Sequence, residues 1–161
     1  MSEKNEPAAA STERILVITR IFDAPRSLVF KAWTQPEHLA HWCCPRGFTT
    51  PFHQSDIRPG GAWRVCMRSP EGKDYWVRGF YREIVEPEQL VFTHTWEDAE
   101  GKPDHETLVT VSLTEHDGKT TQVFRQAIFK SVEDRDSHEG GWNESFDKLA
   151  DYLVQVSRHG K

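Results

Sequence analysis

The C-terminal third most constrains what this chain can fold into. Trp142, Phe146, Leu149 and Leu153 recur at intervals of 4, 3 and 4 residues, and Val156 extends the row. That spacing sets all five on one stripe of an α-helix. Ser131, with Asp134 three residues on, marks the helix start in the manner of a capping box. Such a stripe must be covered. Burying the five side chains is worth roughly 8–13 kcal/mol before entropy, at about 1.5–3 kcal/mol each.

The cover is an antiparallel meander that precedes the helix, from about Thr49 to Phe129. Strands are expected over Phe48–Ile57, Ala62–Arg68, Tyr75–Val85, Leu90–Trp96, Thr107–Thr114 and Lys119–Ile128. Pro59-Gly60-Gly61, Pro70-Glu71-Gly72-Lys73 and His116-Asp117-Gly118 are turns between them, and Glu97–Asp104 is a polar loop. Alternation puts Trp63, Val65 and Met67 on one face of their strand, and Leu90, Phe92, His94 and Trp96 on one face of theirs. Gly79, inside a long strand, marks a bulge or bend. A first strand, Arg14–Phe22, precedes a helix with Asp23 as N-cap, Pro25 at its start and Leu28, Val29, Ala32 and Trp33 at helical spacing. Pro36 ends that helix and opens a short second one, Glu37–Trp42. The fold class is therefore α+β. A curved antiparallel sheet wraps a long C-terminal helix, with two short helices after the first strand. Sheet and helix leave a cavity between them.

Composition excludes several functions. The net charge of −5 and pI near 5.9 argue against a nucleic-acid partner. No apolar run approaches the ~18 residues of a membrane span. Met1–Thr12 has no apolar centre and reads as a disordered tail, leaving residues 13–158 as one domain. Three cysteines, two of them adjacent, make a poor disulfide framework and point to a reducing, cytoplasmic compartment. The chain has no G-x-S-x-G elbow, phosphate-binding glycine loop, dinucleotide fingerprint or H-E-x-x-H site, and no cofactor is expected.

Five residue groups together resemble a known family. They are Phe22-Asp23-Ala24-Pro25 with Val29–Thr34; Pro36-Glu37-His38-Leu39 with Trp42 and Pro45–Phe48; Asp56–Trp63; Gly79 with Glu83-Ile84 and Pro87–Thr93; and His138 with Gly141-Trp142 and Leu149. In this order they are similar to the activator of Hsp90 ATPase homologue 1-like domain, within the START-like, helix-grip (SRPBCC) superfamily. The resemblance spans about residues 14 to 155. It implies a curved sheet gripping the long helix, with a cavity there. Relatives bind lipids, sterols, hormones or polyketides, and some cyclise or dehydrate polyketides. Relatives commonly carry a second Trp after the equivalent of Trp42, where this chain has Cys43-Cys44. The eukaryotic Hsp90 activator uses a separate N-terminal domain in chaperone binding, so the resemblance carries a chaperone role poorly.

The expected function is binding of a hydrophobic or aromatic small molecule. Trp42, Phe48, Trp63, Met67, Phe92, Trp96, Trp142 and Phe146 would form apolar walls, and His94 and Glu83 would orient the ligand. Alternatives are a cavity enzyme (an acid/base cyclase, dehydratase or hydrolase) and a chaperone-interacting or stress-response module; homodimerisation stays open. His38, His41, Cys43 and Cys44 offer zinc-type ligands, but adjacent cysteines chelate one metal badly, and no metal site is assigned. Gly140-Gly141 costs about 1 kcal/mol per glycine within a helix, which implies close packing on the sheet or room for a ligand.

Overall fold

The computed structural model describes residues 13–159. The expected tail over Met1–Thr12 lies outside the described residues. Strand β1 (Leu16–Phe22) leads into helices α1 (Arg26–Thr34) and α2 (Pro36–Leu39). Strands β2 (Thr49–Ser55), β3 (Ala62–Arg68), β4 (Asp74–Val85), β5 (Gln89–Glu97), β6 (Pro103–His116) and β7 (Lys119–Ala127) follow, and α3 (Val132–His159) closes the chain. The seven strands form one antiparallel, curved sheet in the order β1-β7-β6-β5-β4-β3-β2. This is a helix-grip fold.

Local chemistry sets most boundaries. Asp117 and Gly118 both have positive φ, 54° and 78°, the two-residue turn whose twist matches its flanking strands. His116 accordingly pairs directly with Lys119. Ser131 caps α3: its hydroxyl accepts from the Asp134 N–H at 3.0 Å. Asp23 does not cap α1. The residue at that boundary is Pro25, whose carbonyl accepts from the Leu28 and Val29 N–H groups without a side-chain cap. The second short helix ends at Leu39, before the expected Trp42.

The strand bulge is displaced from its expected place. Gly79 sits in unbroken register with β3, opposite Trp63. The register slips between Tyr81 and Glu83, where β4 has one residue more than β5. Gly79 is required for a different reason: a Cβ there would stand 1.9 Å from the Thr93 carbonyl oxygen and 2.7 Å from Trp63 Nε1.

The helix covers the sheet unevenly. Phe146, Leu149 and Leu153 are fully buried, with Leu16, Ile18, Val109, Val111 and Phe124 in the same core. Arg20 ties the β1 edge to the helix, donating to the Asn143 carbonyl and to Asp147 Oδ1 at 2.8 Å. The β1–β7–β6 half of the concave face is thereby filled. Over β3, β4 and β5 the helix stands off.

Leu149→Asp is expected to cost more than about 4 kcal/mol, because an unpaired carboxylate would enter a filled core. Urea unfolding followed by circular dichroism checks this. Gly79→Ala should destabilise by at least about 1 kcal/mol, since backbone must move. Gly140→Ala, with no atom within 4 Å of the added carbon, should stabilise by up to about 1 kcal/mol. Paired Tm measurements separate the two.

Candidate functional site

A cavity of about 420 Å³ occupies the space under the standing-off part of the helix. Small-molecule pockets typically span about 300–1,000 Å³. Its sheet wall comes entirely from β3, β4 and β5: Trp63, Val65 and Met67; Tyr75, Val77 and Tyr81; Leu90, Phe92, His94 and Trp96. Trp33, Leu39, Trp42, Cys43, Pro45 and Phe48 close one side, and α3 supplies Asp134, Ser137, His138, Gly141, Trp142 and Ser145.

Three indoles of this wall and the His138 imidazole are held by directed bonds, whereas Trp63 Nε1 is buried without a hydrogen-bond partner. Trp42 Nε1 donates to the Ala32 carbonyl at 3.0 Å and stands edge-on to Trp33, with ring centroids 4.8 Å apart. Trp142 Nε1 donates to Gln126 Oε1 at 2.8 Å, and Gln126 Nε2 donates to Thr107 Oγ1 at 2.9 Å. Thr107 Oγ1 in turn donates a hydrogen bond to the His94 carbonyl at 3.2 Å. Trp96 Nε1 donates to His138 Nε2 at 2.8 Å, while His138 Nδ1 lies 2.7 Å from the Asp134 carbonyl. A carbonyl only accepts and an indole N–H only donates, so His138 is a neutral imidazole with its proton on Nδ1.

His94 is held differently. Only 6% of it is exposed, and its ring sits among Trp63, Trp96, Trp142 and His138 at centroid distances of 5.5–6.2 Å. Its ring hydrogen-bonds its own backbone and makes no hydrogen bond to another of the described residues. Burial pushes its pKa down to about 3. The imidazole is therefore neutral at pH 7, and no side chain directs its ring nitrogens. Burial also raises the Tyr81 phenol above its usual range.

Residues 23–154 match the family described as activator of Hsp90 ATPase homolog 1-like protein. The chain belongs to this family. Among solved structures, the AHSA1 protein of Silicibacter pomeroyi is 26% identical, covers 88% of this chain and 98% of its own, and superposes with a TM-score of 0.80. A protein from Chromobacterium violaceum (24% identical; 87% and 96% covered; TM-score 0.81) and one from Nitrosomonas europaea (24%; 91% and 97%; 0.76) share the fold. No curated protein matches the sequence.

Within this member of the Hsp90-activator-like family, Trp42, Phe48, Trp63, Met67, Phe92, His94, Trp96 and Trp142 all line the cavity. Phe146 and Glu83 do not. Phe146 lies beneath Trp142, stacked at 5.5 Å and fully buried. Glu83 is exposed and accepts a hydrogen bond from Gln89 Nε2 at 3.0 Å. The cause is the β4 bulge. Val77, Gly79 and Tyr81 face inward, and strict alternation would bring Glu83 inward next; the extra residue turns Ile84 inward instead. Val77, Tyr81 and Trp33 were legible as inward positions from spacing alone, whereas His138 and Ser145 become wall residues only through the placement of α3. Gly141 also lines the cavity, and a Cβ there would meet only Pro45 Cγ at 3.8 Å, so it does not serve close packing on the sheet. Nothing in the structure explains Gly140.

Cys43 and Cys44 occupy the cavity's α2 side. Their Sγ atoms are 3.2 Å apart, and Thr50 Oγ1 lies 3.4 Å from one and 3.2 Å from the other. Lys148 Nζ donates to the Cys44 carbonyl at 2.9 Å. The hydrogen bond from Cys44, aided by Thr50 and the Lys148 charge, brings the Cys43 pKa down to about 7 against the opposing effect of burial. Cys44 is driven upward by the same pairing and by burial. Among the described residues, no group of three or more His, Cys, Asp or Glu side chains could hold a metal ion, and no helix is long and apolar enough to cross a membrane.

His94 links stability to pH. Its folded pKa, about 3, lies below the ordinary 6.5, so between these values the unfolded chain binds the extra proton. The stabilisation is complete above about pH 6.5 and is lost as pH falls toward 3, by up to a few kcal/mol. His94→Gln should flatten this slope between pH 6.5 and 4. Urea midpoints across that range, with imidazole NMR titration of the wild type, check it.

Proposed function

We propose that the protein binds a hydrophobic or aromatic small molecule between β3–β5 and α3. The observation that carries this reading is the apolar chamber itself, with a neutral, buried His94 on its wall that bonds to no side chain and only to its own backbone. The ring nitrogen not engaged by the backbone is open to a polar group of a ligand, and pairing a buried polar atom offsets a cost of about 1–3 kcal/mol. The surrounding indole faces favour flat or ring-bearing molecules. The preferred ligand is therefore a largely apolar, cyclic compound carrying one or two polar groups. Trp42, Phe48, Trp63, Met67, Phe92, Trp96 and Trp142 supply contact area, and His94 supplies orientation.

The same observation weighs against acid/base catalysis by His94. A general base works best with a pKa near the operating pH, and this imidazole is held well below it. Hydrogen bonding to a neutral ligand is the role that its environment supports.

An environment-sensitive naphthalene sulfonate dye is expected to bind the wild type with a blue-shifted, saturable emission. Met67→Trp, which fills the cavity, should weaken binding at least about tenfold, equivalent to about 1.4 kcal/mol. Glu83→Gln should leave binding unchanged. Dye binding that Met67→Trp does not weaken would overturn the reading. Native mass spectrometry of protein taken gently from its own host would then identify a retained ligand by its mass.

A further inference from the structure

The Cys43–Cys44 pair is not used by the binding reading above. Adjacent side chains in a chain tend to point apart, yet here both sulfurs converge on Thr50 Oγ1 and approach each other to 3.2 Å. Cys43 is half-buried and lines the cavity, and Cys44 lies behind it, 2% exposed. Both are free thiols, as is Cys66, which lies apart on β3 and is 1% exposed.

We propose that Cys43 and Cys44 form a dithiol site for an organic compound of trivalent arsenic, with its aryl substituent seated among the aromatic rings of the cavity. Three features of the geometry select this ligand class. The donor set is two sulfurs and no more, since among the described residues no third His, Cys, Asp or Glu completes a metal-binding group. A tetrahedral zinc ion with sulfurs about 2.3 Å away would also hold them about 3.8 Å apart, wider than the pair observed. A pyramidal arsenic centre needs only two sulfurs, spans a shorter separation, and brings its third substituent with it. That substituent is apolar, and the cavity that Cys43 lines is walled in part by Trp42, Phe48 and Met67.

The chemistry balances without an oxidant. Phenylarsine oxide hydrates in water to a species with two As–OH groups. The Cys43 thiolate, present in quantity at pH 7, attacks arsenic from the cavity side. One hydroxyl leaves as water, with the proton released by Cys43. Cys44 then forms the second As–S bond, and the second hydroxyl leaves as water with the Cys44 proton. Two As–S bonds replace two As–O bonds, and arsenic stays trivalent throughout. The second bond closes within the molecule, so two thiols bind far more tightly than one, by roughly 10²-fold or more. The proposal goes beyond the small-molecule reading and holds whether or not the cavity has a natural ligand.

Phenylarsine oxide added to the folded, reduced protein is the probe. Intact-mass spectrometry should show one adduct, with a gain of one phenylarsenic unit less two hydrogens. Peptide mapping should find Cys43 and Cys44 blocked and Cys66 free. Excess glutathione, a monothiol, should leave the adduct in place, and 2,3-dimercaptopropanol should remove it. Cys43→Ser and Cys44→Ser should each weaken binding roughly 100-fold or more, and Cys66→Ser should not. Thermal unfolding establishes that each variant is folded. The absence of an adduct, an adduct on Cys66, or equal affinity in Cys44→Ser would overturn the proposal. The naphthalene sulfonate dye tests the aryl placement. Its displacement by one equivalent of arsenical is expected, and its retention would overturn that placement. A dye that never binds the untreated protein would count against the small-molecule reading alone, because the adduct is read by mass.

Discussion

The contact between α3 and the concave face of the sheet is what the rest of this structure depends on. It combines area with direction. Phe124, Trp142 and Phe146 lie within 4.6–5.5 Å of one another and supply the area. Indole N–H bonds supply the direction: Trp142 to Gln126 on β7, and Trp96 on β5 to His138 on the helix. Aromatic area alone would let a helix slide along the sheet. Bonds from two different strands to two successive turns of α3 fix both its register and its tilt. Trp33 completes the arrangement from α1, donating to Gln122 on β7 at 2.8 Å.

This way of fixing the helix also accounts for the cavity. The helix is drawn down where β1, β6 and β7 present Leu16, Val109, Val111 and Phe124 to it. Over β3–β5 it is held off by large side chains that are themselves pinned in place. Trp42 cannot swing inward to fill the void because its indole is bonded to Ala32. Trp96 is bonded to His138, and Gly79 keeps β4 close against β5 without adding a side chain. The void persists where Trp42, Trp96 and Trp142 are bonded in place around it. His94 lies on the lining of the void, bonded only to its own backbone, and its remaining hydrogen-bonding capacity sets the polarity expected of a ligand.

Much of the fold was legible in the residues. The stripe from Trp142 to Leu153 marked a helix, Ser131 its start, and Asp117-Gly118 a tight hairpin, because each of these signals is decided within a few residues of chain. The wall positions Trp63, Met67, Phe92, His94 and Trp96 were legible for the same reason: uninterrupted strands alternate reliably. Glu83 was misplaced because one extra residue in β4 inverts the alternation beyond Tyr81. Phe146 was placed on the correct helix face but belongs one layer below the cavity, a matter of depth that periodicity does not encode. Asp23 failed as a cap because Pro25 supplies the boundary from its backbone.

The sequence by itself determined the order of elements, the faces they bury and the antiparallel meander under a long helix, since these follow from local periodicity and turn chemistry. Only the tertiary structure decided where the helix touches and where it stands off, and with that the cavity. It also decided the states of single groups: a neutral His94, a His138 fixed in one tautomer, and two neighbouring thiols shifted in opposite directions. Those states depend on distances between residues far apart in the chain, or on how two adjacent side chains are turned. Residue spacing along the sequence carries no information about either.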